Sequence, residues 1–436
     1  MTILHKIDAI SARYRLVEAF LLIFLFFQPL SPFTSVREIA FVAMCVFFGV
    51  RAALGRVRLD ARDPALIALA LLVAAAILSS ALSPYPLESF DAMRKSLFYQ
   101  VMTFLVVVTS FRTIEELRPL VYALIGSFAA LSAVILIQND AGVLLDWHVW
   151  HSRTGRRETY LLSYSTYAAF YMPLGLAWLY GAKDRMSVKL VLAAFLSLEF
   201  ALVFLNNHRT QLVAVAASAV LVTALARRWR TLAVVAAALI IAGLAVYLID
   251  PYHFARYRTL AAYNTYATNE GLTERPAIWK GTLDMIKERP VLGYGYGWKK
   301  LATAARDGGW LERWDKTGRT YWYFSTFGHG AANPHNLGLQ IVFEVGILGF
   351  IAYLTFWAAV IIKGARAWAV NSAEAVFLRY AMPGVLLSYV LVNATGGFWE
   401  EAMGNLVLSF AAICCVLYRG RTEAGRKDSP ATGKDF

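Results

Sequence analysis

Apolar runs recur along most of this chain and are separated by short polar turns. Each run is about 20 residues long, which in a helix matches the roughly 30 Å hydrocarbon core of a bilayer. The chain is 58% hydrophobic and only 16% charged, which is unusual for a soluble globular domain. We therefore predict an all-α integral membrane protein with about twelve transmembrane helices. The predicted spans are residues 16–34, 36–54, 64–82, 96–111, 117–138, 160–181, 188–206, 209–226, 231–250, 335–362, 375–396 and 398–418.

Basic residues concentrate in alternate turns, which predicts the orientation of the helices. Cytoplasmic loops of membrane proteins are enriched in Lys and Arg, and short loops carry most of this signal. With a cytoplasmic N-terminus, every predicted inside turn is basic, whereas the outside turns near Pro32 and Phe398 are nearly free of Lys and Arg. The net charge of +13 is therefore explained by orientation rather than by nucleic-acid binding. The inside residues are Arg51, Arg56, Arg58, Arg62, Arg112, Arg118, Lys183, Arg185, Lys189, Arg227, Arg228, Arg230, Lys363, Arg366, Arg419, Arg421, Arg426, Lys427 and Lys434.

This orientation divides the chain into four parts. Residues 1–250 are predicted to form transmembrane helices 1–9. Residues 251–334 are predicted to form a loop with short helices on the outer side, which is the periplasm in a Gram-negative cell. Residues 335–418 form transmembrane helices 10–12, and residues 419–436 a polar, disordered cytoplasmic tail. No signal-peptide cleavage site follows the first apolar run, so we expect the first helix to remain in the mature protein.

The predicted periplasmic loop is strongly basic, with twelve Lys or Arg against seven Asp or Glu in residues 251–334. Residues 276–288 are predicted to form an amphipathic helix that can lie in the membrane interface. Its apolar face consists of Ile278, Trp279, Leu283 and Ile286. The sequence that follows resembles a dinucleotide-binding glycine motif, but no strand precedes it, so we expect a turn that lets the backbone approach a ligand. This glycine-rich turn is Gly293-Tyr294-Gly295-Tyr296-Gly297.

Two arginines are predicted to bind an anion. Arg209 opens the eighth predicted span, beside the unsatisfied N–H groups and the positive dipole end of that helix. Arg275 opens the predicted amphipathic helix in the same way. A guanidinium makes two parallel hydrogen bonds to phosphate oxygens, so two such arginines would suit a pyrophosphate. The alternative is that Arg209 is an interfacial residue that snorkels and that Arg275 is a solvated loop charge.

His335 is the candidate general base. Asn333 is a favourable N-cap and Pro334 a favourable first-turn residue, so we predict that His335 lies in the first turn of the tenth span. The N-terminus of a helix disfavours the imidazolium cation and leaves a neutral imidazole that can accept a proton. The alternative is a capping or interfacial histidine without a chemical role.

Two acids lie inside predicted spans, where a carboxylate is costly unless it is paired or faces a cavity. Glu199 and Glu344 are therefore candidates for proton relay, for partners of Arg209 or His335, or for protonated structural acids. A second basic cluster precedes the sixth span and would either meet an anionic sugar or lipid or simply be solvated. Its members are Arg153, Arg156 and Arg157.

Metal and cofactor motifs are missing from the sequence. No predicted outside segment carries Asp-x-Asp or a His, Asp or Glu cluster with metal spacing, and no phosphate-binding glycine loop of the Walker type occurs. The three cysteines, Cys45, Cys414 and Cys415, all lie in apolar runs. We therefore predict no metal and no cofactor, so that arginine charge would have to stabilise any leaving group.

Three motifs taken together resemble the O-antigen ligase and polymerase superfamily. They are Asn207-His208-Arg209-Thr210-Gln211, then Arg275-Pro276-Ala277-Ile278-Trp279 followed by Glu288-Arg289-Pro290-Val291-Leu292-Gly293-Tyr294-Gly295, and finally Pro334-His335-Asn336. The last continues into Gln340-Ile341-Val342-Phe343-Glu344-Val345-Gly346-Ile347-Leu348-Gly349, which also fits. The resemblance covers about residues 200–350 in motif and the whole chain in topology. It departs from the family at His208, where many relatives have a small residue.

The resemblance implies a C-type glycosyltransferase fold and a transfer of glycan from undecaprenyl pyrophosphate on the outer side of the inner membrane. It implies that Arg209 and Arg275 bind the pyrophosphate, and that His335 acts as the base without a metal. Asn336, Trp279 and His208 would support these residues. The expected reaction is an inverting transfer of O-antigen polysaccharide to the core oligosaccharide of lipid A.

Other functions remain open from the sequence. A polymerase of the same superfamily would use a glycan acceptor, although such polymerases often show two long outer loops and this chain shows one. A protein O-oligosaccharyltransferase would use a Ser or Tyr acceptor. A polysaccharide flippase or transporter would show internal hydropathy repeats and broken helices near the midplane, and the sequence displays neither clearly.

Overall fold

The computed structural model describes residues 3–138, 161–181, 184–206, 208–249, 275–368, 373–397, 399 and 401–427. Within these residues all regular structure is helical, so the prediction of an all-α fold is confirmed. The first half of the chain forms α1 (Ile3–Tyr14), α2 (Leu16–Phe26), α3 (Thr34–Ala53), α4 (Pro64–Ala81), α5 (Pro86–Lys95), α6 (Leu97–Ser110), α7 (Ile114–Gln138), α8 (Leu161–Gly181), α9 (Met186–Leu205), α10 (Arg209–Leu225) and α11 (Trp229–Ile249). The polar segment forms α12 (Arg275–Glu288), α13 (Leu301–Asp307), α14 (Trp310–Arg313) and α15 (Arg319–Thr326). The chain then continues with α16 (Leu337–Ala367), α17 (Ala373–Asn393) and α18 (Glu401–Lys427).

Six segments of the described chain are long and apolar enough to cross a membrane. They are Ser31–Ala53, Pro64–Ala81, Ile114–Gln138, Met186–Phe204, Leu337–Arg366 and Val376–Asn393, and three shorter apolar helices cover Leu16–Phe26, Arg209–Leu225 and Met403–Arg419. These helices indicate a multi-pass membrane protein. The larger count of about twelve spans stays a prediction.

Helix α4 illustrates how the sequence sets the start and the packing of a span. Asp63 is its N-cap, with the carboxylate accepting from Ala65 N at 2.8 Å, and Pro64 occupies the first turn. The helix is rich in alanine, so α16 packs against it at close range. A Cβ placed on Gly349 of α16 would lie only 3.8 Å from the Cβ of Ala75. Small residues at this contact thus let the two backbones approach, as is common between membrane helices.

Helix α16 is broken at Gly346, and the polar segment fills the break. Gly346 has a φ of 67° and a ψ of −174°, which is neither helical nor accessible to an ordinary side chain. The carbonyl of Pro290 accepts from Ile347 N at 2.9 Å, and Tyr294 N donates to the carbonyl of Phe343 at 2.7 Å. The backbone groups that the break releases from the helix are therefore paired with the segment that follows α12.

The glycine-rich turn at residues 293–297 packs against protein rather than projecting toward a ligand. Its glycines all have positive φ, with values of 69° at Gly293, 91° at Gly295 and 101° at Gly297. A Cβ at Gly293 would lie 2.5 Å from the carbonyl oxygen of Phe343, and a Cβ at Gly297 would lie 2.7 Å from the Cβ of Ala92. The predicted turn is present, but the close approach that requires glycine is made to α16 and α5.

Two buried charged residues hold this turn in place. The Lys300 ammonium is fully buried and donates to the carbonyls of Gly295, Tyr296 and Gly297 at 3.0, 2.6 and 2.7 Å. Gly297 N in turn donates to Glu344 Oε2 at 2.9 Å. Hydrogen bonds to charged groups contribute about 1.5–3 kcal/mol each. This cluster therefore fixes the polar segment on the bundle. Of the roles that the sequence left open for Glu344, the structure supports a structural one.

The amphipathic helix and the C-terminal tail differ in part from the prediction. Helix α12 begins at Arg275, and Ile278 and Ile286 lie on its buried face, as expected. Leu283 is 43% exposed, however, because Thr282 and Met285 occupy the buried face instead. The predicted disordered tail is also partly wrong, since α18 continues as helix to Lys427.

Candidate active site

The candidate site lies at the end of the bundle that carries residues 275–336, here called the loop end. Arg209 is the first residue of α10, and His208 precedes it as an extended N-cap with φ of −91° and ψ of 95°. The first intrahelical bond runs from Leu212 N to the carbonyl of His208 at 2.9 Å. Both side chains are partly buried. Arg209 thus stands at the positive end of a helix dipole, as predicted.

Arg275 lies near enough to Arg209 for the two charges to influence each other. It belongs to α12, at the point where the described part of the chain resumes, and is partly buried. Burial, and secondly the positive charge of Arg209, lower the pKa of Arg275. Two like charges that influence each other in a partly buried setting favour an anion between them.

His335 is not in a helix, which corrects the prediction. Helix α16 begins at Leu337 and its N-cap is Asn336, whose side chain accepts from Leu339 N at 3.0 Å. Asn333 instead accepts from His335 N at 2.7 Å, which forms a tight turn before the helix. Asparagine is a favourable N-cap residue, and Asn336, which the sequence analysis did not consider for this role, directly precedes the apolar run.

The backbone of His335 has a φ of 49°, in the left-handed region. This conformation is uncommon for residues other than glycine and costs an L-residue about 1–2 kcal/mol. Such strain persists where the surrounding structure fixes it, and it is concentrated at functional sites. The side chain is partly buried and lies at the loop end, two residues before the start of α16.

The connection between α17 and α18, residues 394–400, joins the His335 turn to the helix of Arg209. The amide of Asn336 donates to the carbonyl of Ala394 at 3.2 Å. The next residue, Thr395, donates its hydroxyl to that of Thr210 at 3.0 Å. Thr210 directly follows Arg209, so the histidine turn and the first arginine are tied together through two hydrogen bonds. The sequence did not identify Ala394 or Thr395, since residues in a short turn carry no motif of their own.

The structure describes two of the remaining residues that the sequence singled out, Trp279 and Glu199. Trp279 is one turn along α12 from Arg275, and its indole N–H is buried with no hydrogen-bond partner among the described residues. Glu199 is buried within α9. The cluster Arg153, Arg156 and Arg157 lies outside the described residues.

The described part of the chain contains no group of three or more His, Cys, Asp or Glu side chains that could hold a metal ion. The candidate site thus contains two arginines whose charges influence each other. The turn that contains His335 is linked by hydrogen bonds to α10, the helix that begins at Arg209. Such an arrangement can bind a multiply charged anion and can offer an imidazole to a nearby proton.

Comparison with known proteins connects this site to a family. Residues 191–354 match the O-antigen ligase family, and this range contains Arg209, Arg275 and His335. The chain is also 27% identical over 241 residues to an O-antigen ligase of Pseudomonas aeruginosa, a match that covers 53% of this chain and 48% of the relative. The chain thus aligns with about half the length of that curated relative. The resemblance to the O-antigen ligase superfamily is confirmed.

Proposed function

We propose that this chain is a membrane glycosyltransferase that moves O-antigen polysaccharide from undecaprenyl pyrophosphate to the core oligosaccharide of lipid A. The observation that carries this proposal is a pair of partly buried arginines, Arg209 and Arg275, whose charges influence each other and which both lie in the range that matches the O-antigen ligase family. Two guanidiniums can grip a pyrophosphate by forked hydrogen bonds. The O-antigen ligase of Pseudomonas aeruginosa supports the assignment to a ligase.

In this reaction His335 takes the proton of an acceptor hydroxyl as that oxygen attacks the anomeric carbon of the donor. The bond between the anomeric carbon and the phosphate oxygen breaks on the opposite face, so the new linkage has inverted configuration. Undecaprenyl pyrophosphate leaves with the bonding electrons, and Arg209 and Arg275 stabilise its growing charge. General base catalysis of this kind contributes about 10²–10⁴-fold in rate. Because the pyrophosphate is itself the activated leaving group, the reaction needs no nucleotide. In this proposal the two arginines take the place of a metal ion in stabilising the leaving group.

An apolar groove suits the lipid part of the donor. Its volume is about 190 Å³, and it lies among α8, α9, α10 and α11, with Leu196, Ala216 and Val220 in its wall. Ala216 and Val220 belong to the same helix that begins at Arg209, so the groove lies further along that helix from the phosphate-binding end. A polyprenyl chain bound there would extend toward the pyrophosphate at the loop end.

The proposal includes an orientation in the membrane. The loop end would face the periplasm of a bacterial inner membrane, and both termini would lie in the cytoplasm. The parts would be transmembrane helices in residues 1–250 and 335–418, a periplasmic loop in residues 251–334, and a cytoplasmic tail after residue 418. The whole would adopt a C-type glycosyltransferase fold.

Two other members of the same superfamily, a polymerase and a protein O-oligosaccharyltransferase, would use the same donor chemistry with another acceptor. A flippase is less well supported. A broken helix such as α16 is common in transporters, but here the backbone around Pro290 fills the break instead of leaving it open to a cavity.

The lipopolysaccharide pattern of a strain that lacks this chain separates these functions. Loss of a ligase leaves bare core while the polymer accumulates on its lipid carrier, which is the expected result. Core capped by a single repeat would indicate a polymerase, and precursor retained in the cytoplasm would indicate a flippase. Unchanged lipopolysaccharide with loss of a glycoprotein would indicate a protein O-oligosaccharyltransferase.

A further inference from the structure

A polar cavity opens at the loop end, and neither arginine of the pair lines it. Its volume is about 560 Å³, and it lies among the α2–α3 connection, α3, α5, α6, α7, α8 and α18. None of the residues that line it lies in the range 191–354 that matches the O-antigen ligase family. The cavity is therefore formed by residues outside the part of the chain that matches the family.

The floor of the cavity carries buried polar side chains, each with one atom that has no hydrogen-bond partner among the described residues. Gln28, Tyr164 and Asn405 line it and are only 3%, 0% and 4% exposed. The Gln28 amide nitrogen, the Tyr164 hydroxyl and the Asn405 amide oxygen have no hydrogen-bond partner in the part of the chain that the structure describes. Leaving such buried atoms unsatisfied destabilises the empty cavity. A hydroxyl-bearing ligand in the cavity would supply both donors and acceptors after a small rotation of these side chains.

The rim of the cavity is positively charged. Arg37, Arg94 and Lys95 line it. Arg94 and Lys95 share a single acid, Asp91, at 2.7 and 2.5 Å, and their side chains are 67% and 64% exposed. One carboxylate cannot neutralise two cations, so this side of the cavity keeps a net positive charge. An exposed pair of this kind can exchange its contact with Asp91 for a stronger one with an anion.

Arg37 and three further side chains also line the cavity. Arg37 pairs with Glu38 at 2.9 Å, and the Tyr99 hydroxyl donates to the same carboxylate. Tyr167 adds another aromatic ring to the lining. Aromatic faces, amides, hydroxyls and one carboxylate together provide apolar surface for sugar rings and partners for their hydroxyl groups. The composition is unlike that of the apolar groove beside α10.

We propose that this cavity binds the acceptor, as the anionic sugar headgroup of a glycolipid that carries phosphate or carboxylate groups. The inference rests on the proposed transferase function and adds the place where the second substrate binds. The α17–α18 connection contacts both the helices around the cavity and the helix of Arg209. Trp399 O accepts at 2.7 Å from Gln100 Nε2, next in sequence to the lining residue Tyr99, and Thr395 bonds to Thr210 of α10. Asn405, on the cavity floor, lies just beyond this connection in α18. A glycan held in the cavity can thus extend past the connection toward His335.

The test compares two lysines that are matched in exposure and pairing. Lys95 is 64% exposed and pairs with Asp91 at i,i+4, and Lys280 of α12 is 64% exposed and pairs with Asp284 at i,i+4. Only Lys95 lines the cavity. Initial rates are measured for Lys95→Glu, Lys280→Glu and Tyr164→Phe, with undecaprenyl-pyrophosphate-linked glycan as donor and lipid A–core lacking O antigen as acceptor.

We expect Lys95→Glu to raise the KM for the acceptor about tenfold, which corresponds to loss of one charge-assisted contact. Tyr164→Phe, which keeps the ring and its stacking on Phe128, should raise it about threefold. In both variants the KM for the donor and the kcat should stay within about twofold of the wild-type values. Lys280→Glu should change none of these values. An unchanged acceptor KM in both Lys95→Glu and Tyr164→Phe overturns the inference and leaves the transferase function intact.

A binding measurement separates the two proposals. Wild-type protein in lipid nanodiscs is titrated with the same lipid A–core in the absence of donor, and then with dephosphorylated and with carboxyl-reduced forms of it. We expect weaker binding for whichever form lacks the recognised anion, and no further loss when that form is combined with Lys95→Glu. Displacement by millimolar inorganic phosphate alone would show a free-phosphate site and contradict the inference. Binding that depends on Lys95 in a protein without transferase activity would support the site and refute the proposed reaction.

Discussion

The hydroxyl of Thr395 donates to that of Thr210 at 3.0 Å, which ties the α17–α18 connection to the first turn of α10. Arg209 directly precedes Thr210, and the residue before Thr395 holds Asn336 through its carbonyl. This single hydrogen bond therefore lies between the first arginine of the candidate site and the turn of His335. We expect this hydrogen bond to affect the reaction only indirectly, by holding Arg209 and His335 in position.

The corresponding prediction concerns positioning. Thr395→Val removes the hydroxyl at nearly constant volume, and we expect a loss of about 1 kcal/mol in stability but a larger, roughly tenfold loss in kcat from misplacement of the site. Thr395→Ser keeps the hydroxyl and should restore kcat to within about twofold. Both variants are assayed for kcat, for the KM of the donor and for the thermal midpoint in detergent. Wild-type kcat in the Val variant would show that this hydrogen bond does not position the site.

The second prediction concerns the break in α16. Gly346→Ala would force an L-residue to a φ of 67° and place its Cβ against the carbonyl of Val291. We expect a loss of at least about 1–2 kcal/mol from the backbone alone, and partial release of the polar segment from the bundle. Limited proteolysis within residues 289–300 and the thermal midpoint measure these effects. Gly49→Ala in α3 is the control, because nothing lies within 4 Å of its Cβ and alanine should be neutral or stabilising there.

The third prediction concerns the arginine pair. Arg209→Ala or Arg275→Ala should remove most transfer and weaken donor binding, and Lys should restore only part, because an ammonium cannot form the forked contact. Because Arg209 lowers the pKa of Arg275, either alanine variant also relieves a repulsion. We therefore expect the donor-free alanine proteins to unfold at or above the wild-type temperature, while the stabilisation by added undecaprenyl pyrophosphate disappears. A lower donor-free midpoint with unchanged donor binding would indicate that these arginines are structural.

The fourth prediction concerns orientation. Thr317 is exposed in the polar segment, and cysteine at this position should react with an impermeant reagent added outside intact cells with a permeable outer membrane. Cysteine at Ser429 should react only after lysis. The native cysteines Cys45, Cys414 and Cys415 are replaced by alanine in both variants so that only the new thiol reports. The reverse labelling would refute the proposed orientation and the periplasmic site with it.

The all-α fold and the apolar helices were predictable because the thickness and apolar interior of the bilayer determine the length and composition of the helices that cross it. Arg209 was placed correctly at a helix start, since charge and helix boundaries are visible in the sequence. Arg275 lies in the predicted helix, and that it opens this helix stays a prediction. Their proximity was not visible, because it depends on how α10 and α12 pack. Glu344 shows the same limit: nothing near it in sequence indicates that its partner is Gly297.

His335 shows a different limit, which is local. Asn333 and Asn336 are both good N-caps, and sequence alone could not decide between them. The structure selects Asn336 and leaves Asn333 to form the preceding turn. A shift of three residues in the start of α16 thus moves His335 from a helical first turn to a left-handed position. Leu283 was misplaced for a similar reason, since neighbouring positions on a short helix lie only a fraction of a turn apart.

The last prediction tests His335 as the general base, and the left-handed backbone decides which substitutions are informative. His335→Ala would combine loss of the imidazole with strain at a φ of 49°, so a loss of activity there would be ambiguous. Asparagine tolerates this conformation better than most residues, which makes His335→Asn the primary variant, and His335→Gln tests whether a longer hydrogen-bonding side chain suffices. Both should reduce kcat by about 10²–10⁴-fold while the thermal midpoint and donor binding stay near wild type.

The pH dependence gives an independent readout of the same base. A base must be unprotonated to act, so wild-type activity should fall as pH decreases through the range in which an imidazole takes up a proton. The residual activity of His335→Asn should not show this decline, and a chelator should leave the wild-type rate unchanged. Purified proteins are assayed with lipid-linked donor and lipid A–core acceptor between pH 5 and pH 8.5. Near-normal turnover in His335→Gln would end the general-base proposal, because glutamine cannot accept the proton, and the histidine would then serve only to shape the turn before α16.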